Sequence, residues 1–414
     1  VSGPGRPGRR VRARGGEAVQ LRILLTQLTA QVPGGIGRYT EELTRAMLEN
    51  RPNGWQVEGV IGRVGTDERR RVHEALPGLD ALRSLRLPNR ALSESWRRGL
   101  LVSGVGRGAD AVFAPSLLAP LGPGAAPTVV TIHDAVPWTR PETLTPRGAA
   151  WHRDMGARAG VHAAVVTAPT GAVAEELRGL IHPRGLLEVV PGAPSGDFSP
   201  RPDAALQAVR ERFALPDRFI LAVGTLEPRK RLASLIRCLA DARFDADPVP
   251  LVIAGPEGWG GVRVDEIAQQ AGLRQGRVRA LGRVSDEELV ALYQLATVTA
   301  MPSADEGFGL PVIEAMASDC PVVHSDAPAL IEVADGAGVS VERERADEDE
   351  SVFEARLAEV LQRVLSDDAL RAELSKRGRA RASEFSWERS AKRMWELIEN
   401  VVTDSRAASG REAR

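Results

Sequence analysis

Short β-branched runs alternate with longer helical patterns along most of the chain, and this alternation narrows the fold more than any other feature. LRILLTQ (21–27), WQVEGVIG, DAVFAPS, PTVVTIHD, AAVVTAP and LLEVVPG read as strands bounded by Gly, Pro or Asp. A second series follows, with RFILAVGTL (218–226), PLVIAGP (250–256), RVRALGRV (277–284), ATVTAMPS (296–303) and PVVHSD (321–326). Helical patterns such as SDEELVALYQLA and GLPVIEAMAS separate them. Buried strands alternating with helices imply parallel sheets covered on both faces. Two such series predict an α/β protein of two doubly wound domains, 19–200 and 201–384, linked near PGAPSGDFSPRPDAAL (191–206). A length of 414 residues suits two cores of this kind.

The ends read differently. Residues 1–18 are Gly, Pro and Arg without apolar periodicity, and a disordered basic tail is expected. The stretch 341–352 (VERERADEDESV) is charged enough for an exposed loop or helix start. Phe385, Trp387, Met394, Trp395 and Ile398 predict an apolar stripe on a helix over 385–404, with fraying over 405–414.

Charge and cysteine content exclude several function classes. The 54 basic residues are balanced by 55 acidic ones, so a nucleic-acid protein working through bulk positive field is ruled out. No segment approaches the roughly 18 uninterrupted apolar residues of a spanning helix. Two cysteines, Cys238 and Cys320, build neither a disulfide framework nor a cysteine-rich metal site, and point to a reducing, cytoplasmic setting. Lysine occurs only at Lys230, Lys376 and Lys392 in this arginine-rich chain, so a lysine inside a motif stands out.

Four segments could carry chemistry. In SADEGFGLPVIEAMASDCPVV (303–323), Glu306 and Glu314 bracket Phe308, Gly309 and Leu310. With a helix starting near Leu310, the loop sits at an N-terminal mouth that favours anions. Two carboxylates around a phosphate cradle suit a ligand with phosphate in the middle and hydroxyls at both ends, as in a nucleotide sugar. The plainer reading is a turn whose acids cap a helix. In FILAVGTLEPRKRLASLIRCLA (219–240), a strand ends at Gly224, and Glu227, Pro228, Arg229 and Lys230 open the next helix. Two adjacent cations at a strand's carboxyl end match a diphosphate leaving group, although RKR alone is usually a solvated face.

PGGIGRYTEEL (33–43) places Gly34, Gly35 and Gly37 between the first strand and the first helix, where backbone can approach a phosphate. It lacks the last glycine of a dinucleotide fingerprint. PTVVTIHDAVPW puts His133 and Asp134 at a strand end, either as structural groups or as groups that orient a reacting sugar. Asp245 and Asp247 form the D-x-D of metal-dependent sugar transferases, but they sit in a polar loop, and no metal site is expected.

In chain order, PGGIGRYTEEL, TIHDAVPW, VGTLEPRK, VIAGPEGWG, LGRVSDEELVALYQLA, PSADEGFGLPVIEAMAS and FSWERSA resemble the retaining glycosyltransferases of family 4. That family has the GT-B fold of two facing Rossmann-like domains, and the resemblance covers about residues 21–400. It implies that FSWERSA marks a C-terminal helix crossing back to the first domain. It further implies that the backbone at Gly34 and Gly35 faces a donor diphosphate and that His133 contacts the transferred sugar. Gly224 lies at the donor site, Arg229 and Lys230 hold the diphosphate, and Gly282 and Arg283 border the base. Glu306 binds sugar hydroxyls, the Phe308–Leu310 backbone meets sugar or phosphate, and Glu314 takes the ribose hydroxyls. Many relatives carry an arginine where this chain has Thr225, the glycine before C-P-V is Asp319 here, and the common N-G-V-D is replaced by PGAPSGDF.

The expected activity is transfer of a hexosyl unit, mannosyl from GDP-mannose by resemblance of TLEPRK and GPEGWG, to a glycan or lipid-linked acceptor without a metal cofactor. An NAD-dependent oxidoreductase and a catalytically silent GT-B scaffold are the alternatives. Arg83, Arg86, Arg90, Arg97 and Arg98 lie among leucines in ALRSLRLPNRALSESWRRGLL. They read either as a basic amphipathic face for peripheral contact with the inner membrane surface or as an ordinary solvated helix.

Overall fold

The computed structural model describes residues 18–30, 34–101, 104–195, 198–343 and 348–412. The expected disordered tail, save Ala18, and part of the charged 341–352 stretch therefore lie outside the described residues. The chain divides into two compact units: residues up to Gly192 together with Trp387 onward, and Ala193–Ser386.

The first unit is built on seven strands: β1 (Val19–Leu24), β2 (Trp55–Ile61), β3 (Ala81–Ser84), β4 (Ala111–Ala114), β5 (Thr128–Thr131), β6 (Val165–Ala168) and β7 (Leu186–Val189). Their order is β3-β2-β1-β4-β5-β6-β7, with every pair parallel. β4, β5 and β6 are buried at every position, as expected for strands covered on both faces. The second unit carries β8 (Ile220–Val223), β9 (Leu251–Ala254), β10 (Val278–Gly282), β11 (Val298–Met301), β12 (Val322–Ser325) and β13 (Val339–Val341). Their order is β10-β9-β8-β11-β12-β13, again all parallel. Both sheets reverse direction of winding once, between β1 and β4 and between β8 and β11. In doubly wound sheets that reversal opens a crevice at the strands' carboxyl ends.

Several sequence expectations change. β1 stops at Leu24, and Thr26–Thr29 forms a 3-10 turn in place of the strand's expected last residues. The helix after it begins at Gly34, so the glycines open the helix where a separate turn was expected. ALRSLRL is no continuous amphipathic helix. Its start forms edge strand β3, and the helix is confined to Asn89–Arg97. Arg83 from β3 bonds both oxygens of Glu58 at 2.5 and 2.7 Å. Arg22, buried in β1, approaches the same carboxylate at 2.9 Å, so three neighbouring strands share one ion cluster. Arg97 pairs with Asp154 at 3.0 Å and Arg98 with Glu94 at 2.9 Å. Three of the five arginines of that segment thus have acidic partners within the unit.

The C-terminal helix runs from Trp387 to Glu412, past the expected limit at 404 and through the stretch expected to fray. Met394 and Ile398 are fully buried against the first unit's core. Trp395 donates its indole N–H to the Met47 carbonyl at 2.9 Å, and its ring meets Trp55 edge-on at 5.1 Å. Phe385 departs from the expected stripe: it packs within the second unit, edge-on to Phe308 at 5.5 Å. Among the described residues no helix is long and apolar enough to cross a membrane.

Truncating a buried indole removes apolar contact and leaves a cavity, typically costing about 3–5 kcal/mol. Trp395→Ala is therefore expected to lower the unfolding free energy by about 4 kcal/mol. Urea denaturation followed at the first unit's transition checks it, and a change under about 1 kcal/mol would show that the helix is not part of that core.

Candidate functional site

In the second unit, the winding reversal brings the loop after β8 beside the loop after β11. Gly224 leaves β8 at φ 145°, and the next loop packs so closely that a Cβ on Gly255 would lie 1.9 Å from the Gly224 carbonyl oxygen. Pro228–Lys230 forms a 3-10 turn, Arg231 adopts a left-handed conformation, and the helix starts at Leu232. The sequence reading had Glu227–Lys230 opening that helix directly. The separate turn instead sets Arg229 and Lys230 toward the β11 loop.

There Glu306 receives both cations: Lys230 Nζ at 2.6 Å and Arg229 at 2.8 Å. Arg229 also donates to the Asp305 carbonyl at 2.9 Å and pairs with Glu227 at 2.7 Å. The Asp305 carboxylate accepts the Glu306 backbone N–H at 2.8 Å. Burial on its own would raise the Glu306 pKa, but Arg229 and then Lys230 outweigh it and hold it down at about 2. Burial pushes Glu227 upward, and the same two cations offset this only in part. Two cations and two buried carboxylates therefore form one tightly coupled cluster.

Gly309 follows at φ 85°, and a Cβ there would approach Leu330 to 2.4 Å, so glycine is needed on both counts. It caps the helix Leu310–Ala317. Glu314, on that helix, is 2% exposed and accepts a hydrogen bond from the Tyr293 hydroxyl at 3.1 Å. Gly282 ends β10, and its carbonyl accepts the Gly255 N–H at 2.9 Å, while the Arg283 side chain is exposed. Asp247 of the D-x-D pairs with Arg218 at 2.7 Å, and no cluster suited to a metal ion occurs among the described residues.

In the first unit, the loops after β1, β4 and β5 wall a cavity of about 1000 Å³ lined by Thr26, Arg90, Ser116, His133, Arg147 and Trp151, among others. His133 donates its Nε2 proton to the Pro115 carbonyl at 2.7 Å, which leaves Nδ1 as an acceptor. Burial lowers its pKa against the smaller opposing effects of Pro115 and Asp134, so the ring is neutral near pH 7. Tyr39 stacks edge-on against it at 4.9 Å and donates its hydroxyl proton to Val190 O at 3.1 Å. Asp134 turns back to accept the Val136 N–H at 3.1 Å. Gly34 and Gly35 lie exposed at the start of the helix Gly34–Glu49.

The structure thus brings Gly224, Arg229, Lys230 and Glu306 together, with Phe308, Gly309, Leu310 and Glu314 following directly on. His133 lines a cavity of the first unit. Sequence reading missed roles for Glu227, Asp305, Tyr39 and Tyr293. One signal was available: the chain has only two tyrosines, and each contacts an expected site residue.

The family model described as Glycosyltransferase Family 4 matches residues 33–193, and that described as Glycosyl transferases group 1 matches residues 206–381. The chain is 32% identical over 264 residues to O-antigen chain mannosyltransferase B of Escherichia coli, covering 63% of this chain and 67% of that protein. It is 33% identical over 232 residues to D-inositol 3-phosphate glycosyltransferase of Corynebacterium urealyticum, where the match spans 54% of this chain and 53% of the relative. Sucrose-phosphate synthase of Thermosynechococcus elongatus shares the fold, with a TM-score of 0.72 at 20% identity over 93% of this chain and 100% of that one. Both family models describe glycosyltransferases, and this favours the transferase reading over the oxidoreductase alternative.

The Glu306 carboxylate has a folded-state pKa below its ordinary 4.5. Its contribution to stability is therefore full above about pH 4.5 and is lost as pH falls toward 2. Glu306→Gln is expected to destabilise the protein by on the order of 3 kcal/mol at pH 7, with the gap to wild type narrowing at pH 3. Urea unfolding of both proteins at the two pH values measures it; a gap independent of pH contradicts the ion-pair account.

Proposed function

This chain belongs to glycosyltransferase family 4, and we propose that it moves a mannosyl unit from GDP-mannose to a hydroxyl of a glycan or lipid-linked acceptor, with retention of anomeric configuration. It is a glycosyltransferase of the GT-B type. The observation that carries the finer reading is the meeting of Arg229, Lys230 and Glu306 at the carboxyl ends of β8 and β11. Mannose is favoured by the similarity to an O-antigen chain mannosyltransferase.

In this reading the donor diphosphate lies against Arg229 and Lys230. Their charges offset the negative charge that grows on the leaving oxygen as its bond to the sugar's anomeric carbon lengthens. The acceptor oxygen bonds to that carbon on the same face, and its proton passes to the departing phosphate, releasing the nucleoside diphosphate. Glu306 engages sugar hydroxyls while remaining charged, as its low pKa requires. Glu314, already oriented by Tyr293, takes the ribose hydroxyls, and the Phe308–Leu310 backbone meets sugar or phosphate. Gly224 gives the diphosphate room beside Lys230, and Gly282 and Arg283 border the base. The contacts expected of Gly34 and Gly35 with the diphosphate, and of His133 with the transferred sugar, belong to the same proposal. Side-chain cations are assigned the charge neutralisation, so no metal cofactor enters it.

Lys230→Ala and Glu306→Ala are each expected to lower kcat by about 10²-fold or more in GDP-mannose turnover. GDP and GDP-mannose should raise the melting temperature selectively, since ligand at a hundred times its Kd stabilises by about 2.7 kcal/mol. Near-normal turnover in either variant would sink the site assignment. Stabilisation by UDP in place of GDP would overturn the donor, and binding without any turnover would favour the silent scaffold.

A further inference from the structure

Arg229, Lys230 and Glu306 have places in the donor site proposed above; Glu227, 3% exposed in the same cluster, has none. Its backbone is pinned on both sides. Leu226 bridges to Glu257 in parallel register, and the Glu227 carbonyl accepts the Lys230 N–H at 3.1 Å to close the turn. Among the described residues its side chain makes one ion pair, from Oε1 to Arg229 at 2.7 Å. Glu306 instead holds Lys230 on one oxygen and Arg229 on the other, at 2.6 and 2.8 Å. Two buried carboxylates therefore divide two cations, and Glu227 has the smaller share.

The groups that face Glu227 set its response to a ligand. Arg229 and Lys230 on its own turn attract its negative charge, and Glu306 from the loop after β11 repels it. Across the bridge Glu257 is exposed to solvent, and the Asp305 carboxylate accepts the Glu306 N–H. Burial already raises the Glu227 pKa, with the two cations offsetting it in part. A diphosphate laid against Arg229 and Lys230 cancels their attraction and adds negative charge nearby. Burial and Glu306 then act on Glu227 with little opposition. Glu306 starts from about 2 and has much further to rise. The acid that takes a proton is thus Glu227. Once protonated, it still has an oxygen that accepts from Arg229, which keeps the guanidinium in place with its charge free for the phosphate.

We propose that Glu227 is a positioning residue that couples donor binding to proton uptake. As the diphosphate engages Arg229 and Lys230, the Glu227 carboxylate takes a proton from solvent and goes on holding Arg229 through its other oxygen. The inference deepens the transferase reading and rests on it for the diphosphate. Linkage is reciprocal, so a proton on Glu227 raises donor affinity by the factor by which the donor raises its proton affinity. Donor affinity is then greatest in acid, and it falls as pH rises from the free-state pKa of Glu227 toward its higher bound-state value.

The test is calorimetric titration of the full chain with GDP-mannose and with UDP-glucose, whose diphosphate diesters carry no group that titrates near neutral pH. Each titration is run in PIPES and in imidazole, buffers that differ in ionisation heat. Wild type is expected to show a buffer-dependent heat of the sign of proton uptake with the sugar nucleotide that binds. Its Kd should rise by about threefold or more between pH 5.5 and 8. Glu227→Gln keeps an oxygen for Arg229 but has nothing to titrate, so its heat should be independent of buffer and its Kd flat with pH. Glu227→Ala removes the acceptor as well and should bind about tenfold more weakly than Glu227→Gln. The wild-type heats need no variant, so they decide the coupling even where a substitution disturbs folding. Binding without proton uptake, or uptake that survives in Glu227→Gln, overturns the coupling and leaves the transferase reading standing. Equal affinity of the Ala and Gln variants overturns the positioning role. Failure of both sugar nucleotides to bind wild type overturns the donor site, and the coupling with it.

Discussion

The reversal of winding in each sheet is the constraint on which the rest depends. A right-handed crossover carries the chain to one side of β1 until β3 and to the other from β4 onward. The loops after β1 and β4 therefore diverge over opposite faces, leaving a concavity whose walls are loop residues and whose floor is buried sheet. The same happens between β8 and β11. Both clusters of unusual chemistry, the cavity beside His133 and the ion cluster around Glu306, lie at those two places. The carboxyl ends of the strands also bring together residues far apart in the chain, as with Lys230 and Glu306, 76 positions apart.

Charge is handled differently in the sheet and at its ends. The Arg22–Glu58–Arg83 cluster ties three adjacent strands, and Arg22 further donates to the Val105 and Arg107 carbonyls at 2.9 and 2.8 Å. That satisfies the buried guanidinium and leaves it little to offer a ligand. The Glu306 cluster has comparable burial, but it is placed at a loop junction, where the partners of a buried pair can be exchanged. Buried ion pairs contribute little net stability because desolvation offsets their attraction. Their location is therefore more informative than their number.

Central strands were legible because burial on both faces turns them into continuous apolar runs, as in LVIA and VVTA. The edges were not. β3 reads ALRS and β13 only VSV, and neither has enough apolar length to stand out from a helix end or a charged loop. A helix opening on Gly34 runs against glycine's low propensity, so the sequence suggested a turn there. At the candidate site, Arg229, Lys230, Glu306 and Glu314 could be named from local motifs. Their couplings could not: Glu227 looks like any residue before a proline, and Tyr293 meets Glu314 only through the packing of two helices. The neutralisation of Arg83 by Glu58 and of Arg97 by Asp154 is likewise a product of tertiary proximity.

The bond between Lys230 and Glu306 has a bearing on which anions the second unit admits. A bare anion approaching Lys230 or Arg229 competes with a carboxylate that is already desolvated and aligned on both. A single charge replaces only one of the contacts that Glu306 makes with the two cations. A ligand that brings two linked charges together with hydroxyls offers the cations a substitute and gives Glu306 new donors in the same event. For any anion drawn to these cations, the protein's own acid is thus the competitor already in place.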